Sequence, residues 1–306
     1  MARIFDLVVM TDWSARSSLS PARETADSIW IGADGVGGPE PPRYFRGRAA
    51  AIGWLADRLA TEAAAGRRVL AGFDFPFGWP RGAAARVAGR AEGLAVWAWL
   101  AREIEDAPDN RNDRWRVAER LNACWDGVGP FWGRPAAAPH PGVPTKGRAR
   151  HGAHPPERRH VEVRIARAQP VWKLFTTGSV GSQTLLGLPA LERLRRAPGL
   201  AGRVAVWPFE TGWAAGAAPV VLAEIYPSML DGAVRAVRRP DEILDRAQVR
   251  ALASAYAALD AAGGLAPLFG PPPGLDPAAL AEAEREEAWI LGLEGREALS
   301  AALAGR

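Results

Sequence analysis

The sequence predicts an α/β fold: a mixed sheet, antiparallel over its first three strands and parallel after them, flanked by helices and interrupted by a helical and loop insertion. Three observations predict it. Short apolar runs at residues 4–11, 69–74 and 220–227 are each broken by a carboxylate or a proline. Turn-forming Gly and Pro separate the early runs, as in a meander. Helix-period segments then alternate with further strands.

Each element follows from its residues. Residues 4–11 read as a strand that ends on Asp12-Trp13-Ser14. Residues 28–33 and 43–46 read as second and third strands, joined by the turn material of 34–42. Ile52, Leu55, Leu59 and Ala63 share a helical face, and Gly66 closes that helix. Residues 69–74 return as a buried strand; Asp74 interrupts its apolar character, and Pro76, Gly78 and Pro80 forbid continuation. Residues 81–125 read as helical, with a polar capping loop at 106–113.

Residues 133–160 change composition. They hold Arg134, Lys146, Arg148, Arg150, Arg158 and Arg159, and all four histidines: His140, His151, His154 and His160. With many prolines and no periodicity, the stretch reads as a solvated basic flap able to touch a phosphate backbone. Small hydroxyl and glycine residues then precede a helix at roughly 183–195, a setting for an anion or for an ordinary N-cap at Ser182. Strands follow at 203–209 and 220–227, the second broken by Glu224. A helix at 245–262 begins on Asp245, where the macrodipole favours an acid. A last helix, roughly 276–291, carries Glu282, Glu284, Glu286 and Glu287, which read as a solvated face. The chain thus divides into a first core part (1–80), the insertion and flap (81–168), a second core part (169–265) and a helical tail (266–306).

A carboxylate at the end of a buried strand is costly unless it is paired or bound to a cation. Asp12, Asp74, Glu224 and Asp245 all stand at element ends. Their order along strands and helix matches a ribonuclease H-like topology, which brings the first and fourth strands side by side and so sets Asp12 beside Asp74. Clustered acids repel, and cations neutralise them; hard oxygen ligands select Mg²⁺ or Mn²⁺.

At these residues the chain resembles an uncharacterised family described as predicted nucleases with a ribonuclease H fold. The matching pieces are Asp12 after the first strand, the Asp-x-Pro-x-Gly pattern within residues 73–78, and the Glu-x-x-Pro pattern at 224–227. The resemblance spans roughly residues 4–262. It departs at the helix, where the family has paired Asp residues and this chain has Asp245 alone, with Glu287 as a substitute.

The expectation is therefore a divalent-metal-dependent hydrolase of phosphodiester bonds, a nuclease acting on nucleic acid or on another phosphate-bearing substrate. Asp12, Asp74 and Glu224 would hold Mg²⁺ or Mn²⁺, and Asp245 would complete the catalytic set. Ser14, Lys173, Thr177, Ser179, Ser182 and Gln183 would bind substrate, and Trp79 and Trp132 could stack on bases. The rival readings are an ATP-handling phosphotransfer enzyme on the same fold and a non-catalytic nucleic-acid-binding module.

Composition fits this reading. The 306 residues are 48% hydrophobic and 24% charged, ordinary for a globular protein. A net charge of +4 and a pI near 9.8 suit a phosphate-bearing partner without demanding one. The single cysteine, Cys124, excludes an internal disulfide and a multi-cysteine zinc site. No apolar run approaches the roughly 20 residues of a membrane span, and residues 1–6 do not resemble a secretory signal. A cytoplasmic protein is expected.

Overall fold

A computed structural model describes residues 2–147 and 152–306. Six strands form one mixed sheet: β1 Leu7–Asp12, β2 Ile29–Gly35, β3 Glu40–Phe45, β4 Val69–Phe73, β5 Val204–Val206 and β6 Val220–Glu224. Their spatial order is β3-β2-β1-β4-β6-β5. β1, β2 and β3 pair antiparallel, and β4, β6 and β5 continue parallel to β1. β3 begins earlier than the sequence suggests and contains Pro41 and Pro42. It is an edge strand, with an irregular register between Ile31 and Ala33 of β2, so proline there costs no central ladder bond.

Helices cover both faces, which explains the nearly continuous apolar runs of β1, β4 and β6. Leu7, Val9, Val69, Ala71, Phe73, Val220 and Leu222 point to one face. There they meet α1 (Arg48–Ala64), α3 (Gly93–Glu103), α4 (Arg114–Asn122) and α6 (Gly181–Arg195). Between α1 and α3 runs the short α2 (Ala83–Ala88), and α5 is the single turn His160–Val163. Val8, Met10, Leu70, Val221 and Ala223 point to the opposite face. That face is closed by α7 (Asp231–Val237), α8 (Leu244–Ala261) and α10 (Arg296–Ala304). α8 lies so close to β2 that a Cβ on Gly32 would come within 2.4 Å of the Val249 carbonyl oxygen.

The chain after β4 stays extended and buried rather than turning into solvent. Phe73, Phe75, Phe77 and Trp79 alternate inward, with Phe73–Phe75 and Phe75–Phe77 centroids 5.9 Å apart and Phe77 edge-on to Trp97 at 5.1 Å. This alternation aims Asp74 at the opposite, α8-bearing face. Trp79 packs against Phe131 and Trp172 and is 1% exposed, so it has no surface for a base.

The last helical stretch departs from a solvated face. α9 (Pro277–Glu282) runs into a π-helical turn, Ala283–Glu287, whose extra residue rotates the chain and turns Glu286 and Glu287 inward. Glu286 accepts from the Ala84 N–H at 2.7 Å, and Glu287 accepts from the N–H groups of Arg81 and His160. Among the described residues no helix is long and apolar enough to cross a membrane.

Candidate acidic centre

The register of β1 against β4 builds the centre. Leu7 pairs with Val69 and Thr11 with Phe73, so the next residues, Asp12 and Asp74, leave adjacent parallel strands side by side and on one face. Both lie at the C-terminal ends of their strands, where ligands bind in open α/β sheets. The backbone of Trp13 fixes the pair. Its N–H donates to Asp74 Oδ1 at 2.8 Å, and its carbonyl accepts from Gln183 Nε2 at 2.7 Å. The Trp13 ring is buried against Phe75, with centroids 5.9 Å apart.

α8 brings the third acid. Asp245 lies in its first turn, on the same face, and accepts from the Asp27 N–H at 2.8 Å. Asp27 holds a left-handed backbone, φ 54°, and its carbonyl accepts from Ser14 Oγ at 3.1 Å. The loop between β1 and β2 is thereby folded over Asp12.

Burial first, and neighbouring charge second, raises the proton affinity of these acids. Burial pushes the Asp12 carboxyl well above the usual range, and the charges of Asp74, Asp245 and Asp27 push it further. Burial likewise takes Asp74 up to about 7, with Asp245 adding to the shift and the Trp13 N–H opposing it. The Asp12 and Asp74 carboxyls are hydrogen-bonded, an arrangement in which two acids share one proton. Burial also raises Asp245, with the Asp27 N–H opposing the shift and the Asp27 charge adding to it.

Glu224 is a correction to the expected set. It pairs with Phe73, not with Asp74, in the β4–β6 register, so it projects to the face opposite Asp74. There Arg159 takes both its oxygens at 2.7 Å, and the Phe77 N–H donates to Oε2 at 2.8 Å. Arg159 also binds Glu162 Oε1 and the Glu287 carbonyl. Glu224 is therefore a structural counter-ion rather than a member of the Asp12 centre. Glu287 stands in this same buried network and is no substitute ligand.

The basic flap is likewise corrected. Arg159 is 1% exposed, His160 meets Glu282 at 2.7 Å, and Arg134 hydrogen-bonds the carbonyls of residues 135, 136, 138 and 143. Arg134, Arg159 and His160 tie the segment down, while Lys146 is exposed. Arg148, Arg150 and His151 lie outside the described residues.

The hydroxyl loop before α6 is engaged mostly with itself. Lys173 Nζ donates to Gln169 Oε1 and to the Thr177 carbonyl, both at 3.0 Å. Ser182 Oγ donates to the Leu174 carbonyl at 2.6 Å, and the Ser179 N–H closes a turn on the Thr176 carbonyl. Thr177 is exposed, and neither its hydroxyl nor that of Ser179 makes a side-chain bond in the described structure. Gln183 alone of this group reaches the acidic centre, by way of Trp13.

Asp27 carries no sequence signal of its own and gains its place from Asp245, 218 residues along the chain. No protein-family model, curated protein or solved structure matches this chain.

Among the described residues no group of three or more His, Cys, Asp or Glu side chains is already set around one point as a metal would require. The donor chemistry nevertheless suits a hard cation. Mg²⁺ needs only one or two protein carboxylates, completing its shell with water and substrate phosphate. Asp12 and Asp74 are the pair that would hold such an ion.

Proposed function

We propose that this chain is a divalent-metal-dependent hydrolase of phosphodiester bonds, a nuclease on a ribonuclease H-like sheet. One observation carries the reading: Asp12 and Asp74 stand abreast at the ends of neighbouring parallel strands, with Asp245 beside them, and all three have raised proton affinity. The strand order β3-β2-β1-β4 with its antiparallel start supports it.

Asp12 and Asp74 would hold Mg²⁺ or Mn²⁺ in place of their shared proton. Such an ion, when bound, supplies charge stabilisation at a phosphoryl oxygen and lowers the pKa of a water. Asp245 keeps the affinity for a proton that a general base requires, and the Asp27 N–H holds its orientation. Gln183 fixes the Trp13 backbone and so the direction of Asp12. With Glu224 on the opposite face, the residues support one ion rather than two.

The test is cleavage of single- and double-stranded DNA and RNA in Mg²⁺, in Mn²⁺ and in EDTA. Cleavage should need the metal and disappear in Asp12→Asn and Asp74→Asn. Wild-type rates in both variants, or no cleavage of any of these substrates with either metal, overturns the reading.

A further inference from the structure

Arg114 is a buried cation without a counter-ion. It begins α4 and is 8% exposed. Its Nε donates to Ser182 Oγ at 3.0 Å, and its Nη1 donates to Ser17 Oγ at 2.9 Å and Asn112 Oδ1 at 2.7 Å. All three partners are neutral. Asp106, the acid whose field it feels, is occupied by Arg48, which binds both its oxygens at 2.6 Å. Arg48 thus has a paired carboxylate and Arg114 has none. Burial, together with the neighbouring charge of Arg48, lowers the Arg114 pKa to about 10 against the opposing pull of Asp106.

Tying hydroxyls together does not explain the charge. A neutral amide would donate to the same oxygens without the several kcal/mol that desolvating an unpaired ion costs. The Trp115 ring, 5.1 Å from the guanidinium carbon, faces the charge but supplies no counter-charge, which leaves room for an external anion. Ser17 is exposed and opens the site to solvent, and Nη2 has no hydrogen-bond partner among the described residues.

The position relative to the acidic centre is set by two consecutive residues of α6. Ser182 accepts from Arg114, and Gln183 donates to the carbonyl of Trp13, the residue that follows Asp12. Ser182 cannot serve the anion itself, because its hydroxyl is already shared between Arg114 and the Leu174 carbonyl. Lys173 is held by Gln169 and the Thr177 carbonyl.

We propose that Arg114, with Ser17 at the rim, is a subsite for a substrate phosphate, linked to the Asp12–Asp74 centre through Ser182, Gln183 and the Trp13 backbone. The guanidinium offers the forked donors that match phosphate oxygens. The inference rests on the phosphodiester reading for the identity of the anion, but its binding step needs no metal.

Inorganic phosphate is the probe, titrated into metal-free protein with thermal unfolding as the readout and chloride at matched ionic strength as the control. Phosphate should stabilise the wild type beyond chloride, and Arg114→Gln should weaken its binding at least about tenfold, the loss of a charge-assisted contact. Asp12→Asn should keep the binding. No stabilisation beyond chloride, or equal binding by Arg114→Gln, overturns the subsite. If Arg114→Gln does not fold, tungstate soaked into wild-type crystals decides. An anomalous peak within hydrogen-bond reach of Arg114 supports the proposal, and its absence there refutes it. Phosphate bound at Arg114 in a protein that cleaves nothing refutes the hydrolase alone. Cleavage by a protein whose Arg114 ignores phosphate refutes the subsite alone.

Discussion

Replacing Asp74 by asparagine should make the protein more stable at alkaline pH. The amide keeps an oxygen to accept the Trp13 N–H, bound at 2.8 Å to Asp74 Oδ1, and removes only the charge. Burial raises the Asp74 carboxyl to about 7, against about 3.9 in an unfolded chain. A raised carboxyl is a stability cost that is absent below the unfolded value. The cost grows as pH rises between the two, and is complete above the folded value. A shift of about 3 units at about 1.4 kcal/mol each sets a ceiling near 4 kcal/mol. Residual solvent contact and the proton shared with Asp12 bring the expected gain to about 2 kcal/mol at pH 8. For a chain of this length that is a rise of roughly 4 °C in Tm. The assay is denaturant or thermal unfolding of wild type and Asp74→Asn from pH 4 to pH 8.5, without divalent ions. The two curves should meet near pH 4 and separate as pH rises. A variant that is less stable throughout, or a difference independent of pH, refutes the argument that this carboxylate is held against its own electrostatics.

Two other substitutions test the frame around the centre. Glu224→Gln leaves Arg159 buried without the carboxylate that now takes two of its donors, and should cost about 3–5 kcal/mol in urea unfolding. A loss below about 1 kcal/mol would mean that Glu162 suffices. Gly78→Ala should prevent stable folding, because its Cβ would come within 2.2 Å of the Glu286 carbonyl oxygen, on backbone that cannot step aside. A soluble variant of unchanged Tm would contradict that packing.

Asp12 and Asp74 were legible because each ends an apolar run at a strand terminus, and strand termini in α/β sheets cluster. Glu224 shows the same local pattern, yet it belongs elsewhere. What separates it is parity: one residue of register along β6 moves a side chain to the other face, and a run of apolar residues buried on both faces carries no alternation to reveal it. Arg159 sits among histidines and prolines that read as solvated, and its burial depends on a partner 65 residues away. Glu286 and Glu287 follow a helical charge pattern until a π turn changes the phase. Asp27 and Arg114 act through backbone turns and long-range neighbours that no spacing rule encodes. The strand order, by contrast, followed from periodicity and from Gly and Pro at the joints, with errors at ends such as β3, whereas α5, α7 and α10 went unread and the last expected helix ends early in α9.

The most direct measurement is calorimetric titration of Mn²⁺ into wild type and Asp74→Asn at pH 7.5, repeated in buffers of different ionisation enthalpy. If Asp12 and Asp74 exchange their proton for a cation, the wild type binds saturably, releases protons on binding, and loses both properties in the variant. Absence of saturable binding by the wild type, or equal binding without proton release by Asp74→Asn, would contradict a cation site between these two strand ends.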